Sequence, residues 1–149
     1  MRSNDRYRPF DDFSRSNSVR QLRKKTRNIV VFFFLIFSDK FLKLLSLKYG
    51  FAVLNSGISF GLFSFLPLKL LILFLLAIFL IFNLRSQQSF GLTLILTGGF
   101  SNYSDRIFRG AVIDYLCLPV APCFNLADFA IVLGSIFVLV DLFKKGKVL

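Results

Sequence analysis

Four stretches of about 20 mostly apolar residues, near 28–47, 66–84, 89–108 and 124–143, dominate this chain. An α-helix rising about 1.5 Å per residue needs that length to cross a hydrocarbon core of about 30 Å. Lipid offers a backbone no water to bond, so each span must satisfy its own N–H and C=O groups. Of the 149 residues, 55% are hydrophobic and 21 are Phe, above the roughly 45–50% apolar content of soluble domains. The expected fold is an all-α integral membrane protein of four transmembrane helices.

Charge sets the orientation. The net charge is +11, from 19 Lys and Arg against 8 Asp; in a soluble protein that balance would raise nucleic-acid binding, but here the distribution matters more than the sum. Nine cations precede residue 28, and with Arg85, Lys144, Lys145 and Lys147 they put thirteen on one side. The bias toward the cytoplasm therefore places both termini there and residues 48–65 and 109–123 at the outer face. Residues 1–27 mix Arg, Ser, Asn and Asp with few aliphatic side chains and are expected to form a basic, disordered cytoplasmic tail, ahead of a membrane domain over 28–149. Ile29 to Phe37 has the length of a signal-peptide apolar core, but Ser38-Asp39-Lys40-Phe41 follows it in place of a small-residue cleavage site. Pro67 falls in the first turn of the second span, where a missing N–H is tolerated.

The chain has no His and no Glu. That removes Ser-His and Cys-His catalysis and leaves little from which to build a zinc or di-iron centre, so no metal or cofactor is expected. Cys117 and Cys123 match no zinc or redox spacing. An inert structural pair is the first reading; a loop disulfide is open only if that loop faces an oxidising compartment.

Two aspartates then stand out. Asp114 and Asp128 lie fourteen residues apart at the outer ends of the third and fourth spans, and a carboxylate beside a long apolar segment is costly enough to imply a function. Two carboxylates sharing one site cannot both ionise cheaply, so one stays protonated while the other is charged. The charged member can take a proton from water attacking a peptide carbonyl, and the protonated one can polarise that carbonyl. Taken alone, Asp128 also fits a helix-start carboxylate favoured by the dipole.

Other polar positions surround them. Gly98, Asn102, Asp105, Arg106 and Arg109 recur at spacings of three and four and share a helix face. This face reads either as an internal network, with Asp105 paired to Arg109, or as the wall of a wet cleft. Asn125 and Asp128 share a face three residues apart, and Ala130 and Gly134 permit close helix packing. Asp39 and Lys43, one turn apart, are expected to pair structurally while Lys43 snorkels outward. Asn55-Ser56-Gly57-Ile58-Ser59-Phe60-Gly61 has the composition of irregular backbone lining protein or a cavity, or of an outer loop with turn glycines.

In order, Asp39-Lys40-Phe41-Leu42-Lys43, Asn55 to Gly61, Gly98-Gly99-Phe100-Ser101-Asn102-Tyr103-Ser104-Asp105-Arg106, Gly110-Ala111-Val112-Ile113-Asp114-Tyr115 and Pro122-Cys123-Phe124-Asn125-Leu126-Ala127-Asp128 resemble the motifs of the lipoprotein signal peptidases, or signal peptidase II. These are four-span aspartyl proteases of bacterial membranes. The resemblance implies a dyad of Asp114 and Asp128. It implies that Asn55, Asn102, Arg106 and Asn125 bind substrate or support the dyad, and that a small outer β-element forms around residues 48–65. It further implies a prolipoprotein substrate with a lipobox cysteine carrying diacylglycerol, cut on the amino side of that cysteine at the outer face of the cell membrane, in contact with lipid and without nucleic acid. Ser101 stands where the family usually has Gly, and Phe129 where a small residue is common. Two other classes fit the polar spans: a small four-span transporter or channel subunit, and an inactive lipoprotein-binding relative.

Overall fold

A computed structural model describes residues 9–56, 77, 80 and 89–146. Its elements in order are α1 (Pro9–Tyr49), β1 (Val53–Asn55), α2 (Phe90–Arg109), β2 (Val112–Asp114), β3 (Leu116–Leu118), β4 (Ala121–Phe124) and α3 (Leu126–Gly146). Helices α2 and α3 fall within a few residues of the expected third and fourth spans. Of the second span only Ala77 and Leu80 are described, both helical; the rest of 66–84 and the motif from Gly57 to Gly61 lie outside the described residues.

Helix α1 is 41 residues long, about 60 Å. Residues 9–27, expected as an unfolded tail, form its first part. The reason is local: Pro9 is preset for a first helical position, and no Gly or Pro interrupts the run from there to Tyr49. The helix stops at Gly50, whose φ of 74° is left-handed. Gly50 N–H bonds to Leu47 O at 3.4 Å and Phe51 N–H to Ser46 O at 3.1 Å, the paired bonds of a Schellman stop.

Helices α2 and α3 run antiparallel at backbone contact. A Cβ on Gly98 would lie 2.2 Å from Ala127 O, and one on Gly91 2.7 Å from Gly134 O. The two contacts are seven residues apart on each helix, so one small-residue seam closes the pair. Strand β1 pairs antiparallel with β2, Val53 opposite Asp114 and Asn55 opposite Val112. The expected β-element is thus half made by residues beyond 48–65. Strands β3 and β4 form a second hairpin closed by a Cys117–Cys123 disulfide, which replaces the first reading of an inert pair.

Polarity is inverted relative to a soluble domain. Asn28, Asp39, Lys43, Ser46, Thr97, Ser101 and Asn102 are buried, while Phe33, Phe34, Phe37 and Phe41 on α1 and Val132, Ile136, Leu139 and Phe143 on α3 are exposed. Such an arrangement is stable where the surroundings are apolar and buried polar groups bond each other. Among the described residues, one stretch, Leu126–Lys144, is long and apolar enough by composition alone to cross a bilayer; α1 and α2 carry charges within their lengths.

Candidate active site

The amino end of α3 organises the site. Asn125 Oδ1 accepts the Asp128 N–H at 2.9 Å, and Asp128 Oδ2 accepts the Asn125 N–H at 3.2 Å. This reciprocal pair is a capping box built from Asn and Asp. An α-helix leaves its first N–H groups without internal partners. Here Leu126 N–H donates to Tyr115 Oη at 3.0 Å and Ala127 N–H to Asp39 Oδ1 at 3.2 Å. With Asn125 on Asp128, three side chains from three parts of the chain hold three successive donors.

Asp114 ends β2 and is 2% exposed. Its Oδ1 accepts Asn125 Nδ2–H at 2.8 Å and its Oδ2 accepts Asn55 Nδ2–H at 3.1 Å. The strand register explains the second bond: Asn55 faces Val112, two residues before Asp114, so both side chains leave the same face. Asn102 Nδ2–H donates to Asp128 Oδ1 at 2.7 Å, and Asn125 Nδ2–H reaches Asn102 Oδ1 at 3.1 Å. Two asparagines therefore link the carboxylates. Burial raises the Asp114 pKa above its ordinary value; the Asn55 hydrogen bond opposes the shift and the Asp128 charge reinforces it. Asp128 is half-buried. Half-buried Arg106 lies within electrostatic reach of Asp128, Asp114 and Asp105.

Behind the asparagines sits an ionic cluster. Lys43, 1% exposed, pairs with Asp39 at 2.6 Å and Asp105 at 2.8 Å, and donates to Asn102 Oδ1 at 3.0 Å. Two ion pairs and one amide hydrogen bond thus surround the buried ammonium. Lys40 bonds Asp105, the Ser104 hydroxyl and Ser101 O, so two cations and two anions neutralise one another between α1 and α2. A buried charge is tolerable only with such pairing.

Two expectations are corrected. Lys43 does not snorkel outward, because two carboxylates and an amide hold its ammonium inside. Asp105 pairs with Lys40 and Lys43 on α1 rather than with Arg109 one turn on, since Arg109 is exposed. Gly98 serves the α2–α3 seam. The structure also adds residues that spacing does not reveal: the Tyr115 hydroxyl, and Ser101, whose Oγ–H donates to Asp39 at 2.6 Å. Tyr115 lies eleven residues before Leu126, a separation that carries no local signal; only its place in the Gly110-to-Tyr115 motif singles it out. Phe129 is 55% exposed on α3.

The profile of the signal peptidase (SPase) II family matches residues 11–144. The chain belongs to that family. Signal peptidases II are aspartic-type membrane proteases that act on prolipoproteins, which sets aside the transporter alternative. The lipoprotein signal peptidase of Syntrophomonas wolfei subsp. wolfei is 39% identical over 104 residues, spanning 64% of this chain and 68% of that protein. The one from Caldicellulosiruptor bescii is 35% identical over 108 residues, 69% of this chain and 70% of its own. The one from Borrelia hermsii is 29% identical over 156 residues, 80% and 92% respectively. A bacterial membrane enzyme solved by the in meso method at 2.3 Å shares the fold with a TM-score of 0.65 and 23% identity, over 81% of this chain and 90% of that one.

Proposed function

We propose that the site is an aspartyl dyad of Asp114 and Asp128 that removes signal peptides from diacylglyceryl-modified prolipoproteins, cutting on the amino side of the lipidated cysteine. The observation that carries this reading is the contrast between the carboxyls. Asp114 is buried with a raised pKa, and Asp128 is half-open beside it, joined through Asn125. Asp114 is then the member that keeps its proton and polarises the scissile carbonyl. Asp128 is the base that deprotonates the attacking water. Water is the nucleophile, so no covalent intermediate with the protein forms, and the proton it gives up passes to the departing amine. Asn102, Asn125 and Asn55 orient the carboxylates, and Arg106 contributes positive potential where negative charge develops.

In this reading four helices cross the cell membrane with both termini in the cytoplasm and the dyad at the outer face, within a membrane domain over 28–149. The Lys and Arg bias supports that orientation, as does a disulfide in the segment between the two aspartates, since such bonds persist in oxidising compartments. The diacylglyceryl chains stay in lipid while the peptide bond reaches water, so lipid binding positions the peptide for attack. The test is cleavage of a diacylglyceryl-modified lipobox peptide by the purified protein in detergent, with Asp114→Asn and Asp128→Asn in parallel. Cleavage before the lipidated cysteine is expected in the wild type and absent in both variants. Wild-type protein that leaves the peptide intact beside an active control enzyme, or a variant that still cuts it, overturns the assignment.

A further inference from the structure

The end of α1 farthest from the aspartates carries a second feature, which the peptidase chemistry does not use. Arg15, Arg20, Arg23, Lys24, Lys25 and Arg27 fall within thirteen residues, and no acidic residue lies between Asp12 and Asp39. Between them Val19 and Leu22 are 45% and 63% exposed. A groove of about 430 Å³ runs along this face, lined by Leu22, Arg23, Thr26, Arg27, Val30 and Val31. It continues toward the amino end past Arg15, Val19 and Arg20. Arg27 also stacks over the Phe90 ring, 4.8 Å from its centre, fixing the groove beside the start of α2.

The groove changes character at the membrane boundary. Val30 and Val31 belong to the span that begins near residue 28, whereas Arg23 and Leu22 lie one to two turns outside it. A molecule filling its whole length must be apolar at one end and anionic at the other. We propose that this basic extension of α1 is a binding site for an anionic phospholipid of the leaflet opposite the aspartates, its phosphate held by Arg20 and Arg23 and its acyl chain laid along Val30 and Val31. The proposal rests on residues 28–47 spanning a membrane, and not on the peptidase assignment. Juxtamembrane cations near an anionic surface each strengthen association, and a helix with apolar residues among them adds acyl contact.

Native mass spectrometry of the full chain in detergent tests it, with phosphatidylglycerol and phosphatidylcholine of identical chains as probes and glycerol phosphate as the free anion. Phosphatidylglycerol is expected to bind on the order of 10-fold or more tightly than phosphatidylcholine. The exposed double variant Arg20→Gln/Arg23→Gln loses that preference while keeping the wild-type melting temperature. Glycerol phosphate fails to displace the lipid at equal concentration. Equal binding of the two lipids, a preference that survives the double substitution, or displacement by glycerol phosphate overturns the proposal. Lipid binding is read without cleavage, so its failure and a failure of the peptidase assay are separate results.

Discussion

Asn125 Nδ2 lies 2.8 Å from Asp114 Oδ1 while the same residue's backbone N–H and side-chain oxygen are engaged with Asp128. One fully buried amide thus spans both carboxylates. Asn125→Ala removes the cap of α3, worth about 1 kcal/mol, and a donor to Asp114. The expected outcome is a fall in kcat on the order of 10²-fold from lost alignment, with KM for the lipidated peptide little changed. Steady-state kinetics beside a melting curve separate the two effects.

The pH dependence follows from Asp114. Its folded pKa stands above the ordinary value of 3.8, chiefly because of burial. As the proposed protonated member of the dyad, it loses its proton as pH rises through the folded pKa, and activity is expected to fall on that limb. The stabilising contribution has the same sign: it is complete below the unfolded pKa and is lost as pH rises through the folded one. Asn55 donates to the charged carboxylate and so lowers this pKa. Asn55→Ala therefore moves the alkaline limb of kcat to higher pH; a limb that stays put, or moves down, contradicts the assignment of Asp114 as the acid.

Tyr115→Phe deletes one oxygen and strands the Leu126 N–H. Its phenol, pushed up to about 12 mainly by burial, stays neutral at any working pH, so the loss is one of a hydrogen bond rather than of a charge. A destabilisation of about 1 kcal/mol is expected for losing the partner of this part-buried donor, read as a lower melting temperature, together with a smaller kcat because the end of α3 loosens.

Gly98→Ala tests the helix seam beneath the site. Its Cβ would meet Ala127 O at 2.2 Å, backbone that cannot swing aside, and overpacking of this kind costs about 1–3 kcal/mol. Gly91→Ala meets Gly134 O at 2.7 Å, two turns farther from the carboxylates. Both substitutions should lower the melting temperature, but Gly98→Ala alone should also depress kcat in proportion well beyond its stability loss, because Ala127 adjoins Asp128.

Much of the site was legible in the sequence because helical and strand periodicities are local. Asn125 and Asp128 share a face at a spacing of three, and Asn102 follows Gly98 by one turn; the structure brings these together with Asp114 and Asn55. The same locality explains what spacing misread. By spacing alone Asp39 needs only Lys43 four residues on, yet its other oxygen caps Ala127, 88 residues away. Asp105 has Arg109 within one turn, yet the deeper lysines of α1 offer pairing without exposing Asp105 to lipid. The tail reads as too polar to fold because burial is the usual source of helix stability, whereas here the helix propagates outward from an anchored span.

The three-point attachment of α3 has a mechanical consequence. Tyr115, Asp39 and Asn125 approach the helix end from separate segments, as the legs of a tripod meet a stage. Tilting or sliding that end would break several buried or part-buried bonds at once. In the proposed mechanism Asp128 is then a fixed point, and the travel needed to bring a peptide bond into register falls to the substrate, which is threaded toward the carboxylates rather than gripped by them.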